Sequence, residues 1–244
     1  MQATTQATES LEALRRAEND RIWAALYARQ LPLVEAFACR DYLEGLKRLP
    51  LPAYRVPALE EINTVITPAT GWRTVRTAVR YTDAVPWYQR FARREFLVTD
   101  YMRAWDELEF TPEPDMFHDI FGHLPFLALP RYAELEELFA PAFLAANDAE
   151  RENIKRLAWF STEFGLIRED GRLKAFGAGL ISGGAELLNA VEGRAQVEAF
   201  TVEGVLGHDK AVWSHNPILF EFPSLDVLAT ELRRYFDAIR EGRS

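Results

Sequence analysis

Two histidines and one glutamate are the side chains in this sequence best suited to bind a transition metal. His118 and His123 lie five residues apart in PEPDMFHDIFGHLP, and Glu163 lies within the apolar run LAWFSTEFGLI. Two neutral imidazole nitrogens and one carboxylate oxygen can hold Fe(II) on one side and leave its other coordination positions open to dioxygen and organic ligands. This set of ligands is typical of oxygen chemistry.

The same three residues also have ordinary explanations. In a chain with four histidines, two can fall close together by chance. An unpaired carboxylate among apolar neighbours costs on the order of several kcal/mol, so Glu163 needs a partner, and an arginine or lysine would serve as well as a metal. Zinc accepts the same ligands, which leaves a zinc hydrolase as an alternative. The spacing differs, however, from that of zinc proteases, whose histidines lie four residues apart on one helix with a glutamate beside the first.

The spacing of the two histidines constrains the segment that carries them. Five residues of an ideal α-helix turn through about 500°, which leaves the two side chains roughly 140° apart around the axis. We therefore expect the helix to end between them, with Gly122 terminating it and Pro125 preventing its continuation. Pro112 and Pro114 suit the start of this helix, and Asp115 suits its first turn.

The composition predicts one catalytic-sized domain, residues 1–244, with residues 1–10 disordered. Of the 244 residues 48% are hydrophobic, enough for one core that buries about 70–75% of the unfolded surface. The net charge of −9 argues against a nucleic-acid partner, which requires a basic patch. Cys39 is the only cysteine, so an intrachain disulfide and a zinc ribbon are excluded. Neither a membrane helix nor a signal peptide is evident, and we expect a cytoplasmic protein without a membrane partner.

The hydrophobic pattern predicts a mainly α-helical fold of packed helices with a few short β-strands and hairpins. Helices are expected over residues 9–29, 32–49, 58–66, 131–147, 148–164 with Asp148 as its cap, 186–191, and 224–239 with Ser224 as its cap. A further helix is expected to carry residues 87–94, with Asp83 as its cap and Pro86 in its first turn. Short strands are expected over residues 72–79 and 96–101 and around Trp213 and Leu219. Asp170-Gly171 predicts a hairpin turn, and the glycines of Phe176-Gly177-Ala178-Gly179 predict a close backbone approach.

Three segments, PEPDMFHDIFGH, AWFSTEFGL and KAFGAGLISGGAEL, occur in an order that resembles the catalytic domain of the pterin-dependent aromatic amino acid hydroxylases. In size the chain is similar to the compact bacterial phenylalanine hydroxylases of that family. The resemblance implies Fe(II) held by His118, His123 and Glu163, a tetrahydropterin cosubstrate, and insertion of one oxygen atom of O2 into an aromatic ring. Phenylalanine is the expected substrate and a monomer the expected state. Tryptophan or another ring position, and a non-catalytic binding protein on the same fold, stay open as alternatives.

The resemblance also implies roles for further residues. Arg103 would pair with the carboxylate of the amino acid. The positions that would line the substrate are Thr111, Pro114, Trp159, Phe164 and Ser182. Ser182 would also orient the first histidine, and Glu186 would lie behind the site as a buried acid. Trp87 would stack on the pterin, and Asp119 would face the pterin side of the cavity. Without the resemblance, Arg103 would be interpreted as a surface arginine and Glu186 as a helix-cap or structural carboxylate. Thr111, Pro114, Trp159 and Phe164 would be interpreted as ordinary core or loop residues.

The sequence departs from the family pattern at several positions. Asp119 stands where a glutamate is usual, Ala158 replaces an aromatic residue, and Gly183 replaces a serine. Residues 79–85, VRYTDAV, lack the glycine-containing loop that surrounds the pterin in the family. We therefore expect an intact metal site beside an altered pterin site.

Overall fold

Helices make up most of the chain, as the sequence predicts. The computed structural model describes residues 2–80, 82–109, 111 and 113–242, with side chains from Glu12 onward. The α-helices are α1 (Gln2–Phe37), α2 (Arg40–Arg48), α3 (Leu59–Thr70), α4 (Ala84–Phe91), α5 (Leu124–Leu127), α6 (Pro130–Glu136), α7 (Phe139–Ala145), α8 (Asp148–Ala158), α9 (Ala178–Ser182), α10 (Gly184–Val191), α11 (Val202–Leu206) and α12 (Leu225–Glu241). Two π-helical segments, His118–His123 and Trp159–Glu163, and a 3-10 turn, Trp105–Glu107, complete the helical elements of the described residues.

The short strands form two small sheets. They are β1 (Arg73–Thr77), β2 (Glu95–Thr99), β3 (Leu166–Glu169), β4 (Arg172–Ala175), β5 (Gln196–Ala199) and β6 (Ile218–Phe222). β1 and β2 pair in parallel, and the second sheet has the order β4-β3-β6-β5, in which only β3 and β4 are antiparallel. Asp170 and Gly171 join β3 to β4 with φ angles of 49° and 75°, which confirms the hairpin turn. The strand expected around Trp213 is wrong, and β5 and α11 were not predicted.

The first π-helical segment lies in the centre of the core. The rings of Phe117 and Phe121 stack at 4.8 Å between centroids, and the indole of Trp23 on α1 packs edge-on against Phe117 at 5.2 Å. The hydroxyl of Tyr42 on α2 donates to the carbonyl oxygen of Phe121 at 2.8 Å. All four side chains are buried. The two N-terminal helices therefore fix the backbone that carries the histidines.

The first helix ends at a different residue from the one predicted. A new helix was expected to begin at Pro32, but α1 continues through this proline to Phe37. The chain breaks instead at Ala38 and Cys39, because the N–H of Cys39 donates to the carbonyl oxygen of Ala175 at 2.9 Å. A tertiary hydrogen bond, which is not visible in the sequence, sets this boundary. The expected disorder of residues 1–10 stays a prediction, as does the single domain; Met1 and the side chains of residues 2–11 lie outside the described residues.

Two further boundaries were predicted wrongly. The helix expected over residues 131–147 is divided into α6 and α7. Asn147, rather than Asp148, caps α8: its side chain accepts from the N–H of Glu150 at 3.0 Å, and the Glu150 carboxylate accepts from the N–H of Asn147 at 2.8 Å. This reciprocal capping box satisfies two backbone donors that a cap at Asp148 would leave open. The cap at Ser224, which accepts from the N–H of Val227, is confirmed.

Within the described part of the chain, no helix combines the length and apolar character needed to cross a bilayer.

Candidate metal centre and substrate cavity

The two histidines lie on one continuous helical segment, so the expected helix end between them is wrong. Residues His118–His123 form a π-helix that runs directly into α5. In a π-helix the hydrogen bonds join residues five apart, which brings such residues onto one face. Gly122 serves packing rather than termination, because a Cβ there would lie 2.8 Å from the carbonyl oxygen of Ala178. Pro125 is tolerated because it occupies the first turn of α5.

The donor groups of these two histidines and Glu163 converge. The Nε2 atoms of His118 and His123 are 3.0 Å apart. Glu163 ends the second π-helical segment and places its Oε2 3.5 Å from His118 Nε2 and its Oε1 3.3 Å from His123 Nε2. Donors bonded at about 2.1 Å to one ion are separated by about 3.0 Å at right angles and about 3.4 Å at tetrahedral angles. The three separations therefore fit a single transition-metal ion.

Ser182 determines which nitrogen of His118 is available. Its hydroxyl donates to the carbonyl oxygen of Ala178 at 2.8 Å and lies 2.9 Å from His118 Nδ1. A hydroxyl has only one hydrogen, so toward His118 it accepts, and Nδ1 carries the proton. The lone pair of a neutral His118 then lies on Nε2, the atom that faces His123 and Glu163. The orienting contact expected for Ser182 is present.

The charge states of these groups suit a cation. Burial lowers the pKa of His118 to about 4, so its imidazole is neutral at pH 7. Burial opposes ionisation of Glu163, but the attraction of His123 and His118 holds the pKa of this carboxyl at about 2. Burial also acts to lower the pKa of His123, but the adjacent Glu163 carboxylate outweighs it and raises this pKa. At pH 7 the site thus offers the Glu163 oxyanion and the neutral imidazole of His118. A metal ion that bound His123 would take the place of a proton on that ring.

Glycines let the backbone approach the end of the Glu163 segment, as the sequence predicts. A Cβ on Gly177 would lie 2.2 Å from the carbonyl oxygen of Glu163. A Cβ on Gly179 would lie 2.6 Å from the ring of Phe164. Both distances are far inside van der Waals contact, so no other residue fits without backbone movement.

Gly177→Ala should therefore destabilise the fold by at least about 3 kcal/mol, because the clash is with backbone atoms that cannot rotate away. A urea titration followed by circular dichroism measures the change. Gly207→Ala is the matched control: a Cβ there meets its nearest atom at 3.3 Å, and we expect a change within about 1 kcal/mol. Similar unfolding midpoints for the two variants would contradict the close approach at Gly177.

A cavity of about 280 Å³ adjoins His118 and Glu163. Every residue that the resemblance places at the substrate lines it, namely Arg103, Thr111, Pro114, Trp159, Phe164 and Ser182, and so does Glu186. The rings of Trp159 and Phe164 lie 4.5 Å apart between centroids at 42° and form an aromatic corner. An apolar wall next to a cation site fits a flat apolar ring held near a metal.

Arg103 is held in the cavity wall by a buried carboxylate. Its Nε donates to Asp115 Oδ2 at 2.8 Å and one terminal nitrogen, Nη2, donates to Asp115 Oδ1 at 2.9 Å. Asp115 also accepts from the N–H of His118 at 3.0 Å, and burial opposes its ionisation, but Arg103 keeps its pKa below the usual range. From the sequence, Asp115 was expected only in the first turn of a helix. Its main role is to couple the guanidinium to the segment that carries the histidines.

Trp87 and Asp119 do not line this cavity but a second one of about 60 Å³. Residues of the unusual segment 79–85, Val79, Arg80 and Thr82, border it. Asp119 accepts from the N–H of Thr99 at 2.8 Å, and burial raises its pKa to about 7. Pro114 lines both cavities. The residues expected at the pterin and those expected at the amino acid thus occupy two adjoining spaces.

One wall of the larger of these two cavities is formed by residues that were not predicted from the sequence. This wall consists of Ala211, Val212, Ser214, His215 and Asn216, which precede β6. Its centre is Asn216, which is buried and accepts from the indole Nε1 of Trp159 at 2.9 Å. The stretch HDKAVWSHNP has neither a motif nor a hydrophobic period, so only the tertiary structure reveals it.

Comparison with known proteins agrees with this arrangement. The family model for "biopterin-dependent aromatic amino acid hydroxylase" matches residues 7–242. The phenylalanine-4-hydroxylase of Pseudomonas aeruginosa is 33% identical over 211 residues, which cover 85% of this chain and 79% of that protein. The apo structure of the cold-active phenylalanine hydroxylase of Colwellia psychrerythraea 34H superposes with a TM-score of 0.87 at 29% identity, covering 92% of this chain and 86% of that one.

A second solved structure bears on the metal. Phenylalanine hydroxylase of Chromobacterium violaceum with bound oxidised Fe(III) superposes with a TM-score of 0.86 at 29% identity, covering 93% of this chain and 82% of that one. The resemblance, the fold class, the cofactors and the monooxygenase class expected from the sequence are thereby confirmed. These comparisons favour a monooxygenase over a zinc hydrolase and over a non-catalytic binding protein. This chain belongs to the biopterin-dependent aromatic amino acid hydroxylases.

Proposed function

We propose that this protein hydroxylates phenylalanine to tyrosine, with Fe(II) bound by His118, His123 and Glu163 and with tetrahydropterin as cosubstrate. The observation that carries the proposal is the convergence of three donor groups, whose nearest atoms lie 3.0–3.5 Å apart, beside a cavity with an aromatic corner. Iron and reduced pterin together supply the activation of dioxygen. The chain's own residues hold the amino acid, orient its ring and keep the ligands in the correct protonation state.

The amino acid would be held at both of its ends. Arg103 has its Nε and one terminal nitrogen bound by Asp115, so its other terminal nitrogen is available for the substrate carboxylate. A guanidinium fixed in this way loses little conformational freedom on binding. Trp159 and Phe164 would then confine the ring beside the metal ligands His118 and Glu163.

The pterin would lie on the side of Trp87 and Asp119. The indole of Trp87 already stacks on Phe91 with centroids 5.5 Å apart, which fixes its plane for a second flat ring. The adjoining cavity of about 60 Å³ is too small to enclose a bicyclic ring. Binding there would therefore require this cavity to widen, and we infer that Val79, Arg80 and Thr82, which border it, influence pterin affinity.

Oxygen uptake after anaerobic reconstitution with Fe(II) tests the proposed function. Phenylalanine, tyrosine and tryptophan are each supplied with and without tetrahydropterin, and the products are identified by mass spectrometry. We expect uptake that needs both phenylalanine and pterin and yields tyrosine. Pterin-dependent uptake with tryptophan or tyrosine alone would move the proposal to another substrate of the family. A lack of pterin-dependent uptake with all three would refute it.

We further propose that the protein acts as a monomer in the cytoplasm. Its only cysteine, Cys39, is buried, and burial raises the pKa of its thiol to about 12, so the fold does not depend on an oxidising compartment. Sedimentation velocity that shows a species of twice the chain mass would exclude the monomer.

A further inference from the structure

Glu186 is a buried carboxylate on the wall of the substrate cavity. Its side chain is 10% exposed, and the exposed part lines the cavity. Its Oε1 accepts two hydrogen bonds from Asn216, one from the backbone N–H at 2.8 Å and one from Nδ2 at 2.9 Å. Its Oε2 lies 3.8 Å from His215 Nε2, which is too far for a hydrogen bond. One oxygen of Glu186 is thus engaged, and the other retains its capacity to accept.

The other carboxylates of this cavity have strong partners. Glu109 pairs with Arg29, Glu113 pairs with Arg80, and Glu163 faces the two histidines. Among the described residues, no arginine or lysine nitrogen lies within 4.0 Å of Glu186. A buried carboxylate without a cation is costly unless a ligand brings one. Glu186 is therefore the cavity carboxylate with unused capacity for a positively charged group.

Asn216 fixes the direction of the Glu186 carboxylate. The side-chain oxygen of Asn216 accepts from Trp159 Nε1 at 2.9 Å, and its backbone oxygen accepts from Asn189 Nδ2 at 3.2 Å. Because an indole N–H can only donate, the Trp159 contact determines which end of the amide is oxygen, and the nitrogen end donates to Glu186. The carboxylate and the aromatic wall are consequently held in one rigid arrangement.

We propose that Glu186 accepts a hydrogen bond from the α-ammonium group of the amino acid substrate, with Asn216 as its positioning residue. This inference rests on the proposed function. An amino acid brings an ammonium with three donors into a largely apolar cavity, where unpaired donors are unfavourable. Arg103 binds the carboxylate, and Glu186 binds the ammonium. Both line one cavity of about 280 Å³, so the two opposite charges border the space that the amino acid would occupy.

Calorimetric binding to the full iron-loaded chain under anaerobic conditions tests this role without turnover. The probes are L-phenylalanine and 3-phenylpropionate, which differ in the ammonium group. The wild type should bind phenylalanine at least about tenfold more tightly, as expected for one hydrogen bond between charged groups. Glu186→Gln should weaken phenylalanine binding by about 10- to 100-fold and leave 3-phenylpropionate binding within about threefold. The glutamine keeps the Oε1 acceptor for Asn216 and presents an amide nitrogen in place of the second oxygen.

Two variants serve as controls. Glu113→Gln removes a cavity carboxylate that already has an arginine partner, so the ratio of the two affinities should stay near that of the wild type. Asn216→Ala removes one of the two hydrogen bonds that orient Glu186 and keeps the one from the backbone N–H, so the ratio should fall part of the way toward that of Glu186→Gln. Binding of 3-phenylpropionate reports that each variant is folded around its cavity.

Equal weakening of both probes by Glu186→Gln, or no weakening of either, would overturn the assignment to the ammonium group. These outcomes differ from failure of the proposed function, which is a wild type that binds phenylalanine but does not hydroxylate it. If the substrate is another aromatic amino acid, that amino acid and its deamino analogue replace the two probes, and the same ratio decides.

Discussion

We expect His118→Ala and Glu163→Ala to retain no Fe(II) after anaerobic reconstitution and to take up no oxygen with phenylalanine and tetrahydropterin. Each variant removes one of three donors whose separations fit one ion. Loss of an outer partner of a metal ligand already lowers metal affinity about 10- to 100-fold, so loss of a donor should lower it by more than about 100-fold. Iron content after gel filtration and initial rates of oxygen uptake measure both effects.

Two controls separate this result from misfolding. His208 contacts Phe220, with ring centroids 5.7 Å apart, and lines neither cavity, so His208→Ala should keep its iron. Ser182→Ala removes the partner of His118 Nδ1 and no donor group of the metal site, and it should bind iron about 10- to 100-fold more weakly than the wild type. Far-UV circular dichroism should be unchanged in all variants. Full iron content in His118→Ala would show that this residue is not a ligand.

Arg103→Ala should have the largest effect on stability among the cavity variants, about 3–5 kcal/mol at pH 7. The substitution leaves Asp115, which is fully buried, without its cation. Guanidinium chloride unfolding of the variant and the wild type measures the difference.

The stability deficit of Arg103→Ala should shrink as the pH falls. In the wild type, Arg103 holds the pKa of Asp115 below the usual range, so this pair stabilises the fold above the unfolded pKa of about 3.9. In the variant, burial without a cation raises this pKa above the unfolded value. A carboxyl with a raised pKa destabilises the fold at high pH and is protonated as the pH falls. A deficit that is independent of pH between 7 and 4 would argue against this explanation.

Arg103→Lys separates stability from binding. A lysine supplies a cation to Asp115 but lacks the third nitrogen of the guanidinium fork. Stability should therefore recover in large part, and the affinity for phenylalanine should stay about 10- to 100-fold below that of the wild type. An affinity equal to that of the wild type would remove Arg103 from the substrate site.

Residue type and apolar context made the three converging side chains candidate metal ligands, and the resemblance of three motifs to a known family completed the assignment. His118 and His123 stand out as a close pair of imidazoles, and Glu163 stands out as a carboxylate in an apolar run. Together these groups suit a transition metal. The hairpin at Asp170 and the close approach at Gly177 were also predictable, since each depends on glycine chemistry within a few residues. Features that depend on residues close together in the chain are therefore predictable from the sequence.

Features that depend on distant partners were not predictable. Asp115 was assigned only to a helix start, although it binds Arg103, because nothing in the sequence relates the two residues. Asn216 was missed because its partners Trp159 and Glu186 come from two other elements. The break at Cys39 depends on a carbonyl group of β4. In each case the deciding interaction forms only when the chain has folded.

The π-helical geometry of residues His118–His123 makes the number of residues in this stretch as important as their identity. If one residue were inserted or deleted between the two imidazoles while the backbone kept its present winding, the spacing of the ring nitrogens would change and the following core residues would rotate by on the order of 100°. Phe121 and Leu124 are fully buried, so such a rotation would drive apolar side chains out of the interior. Substitutions around the histidines can be absorbed one at a time, whereas an insertion or deletion there changes both the cluster and the core.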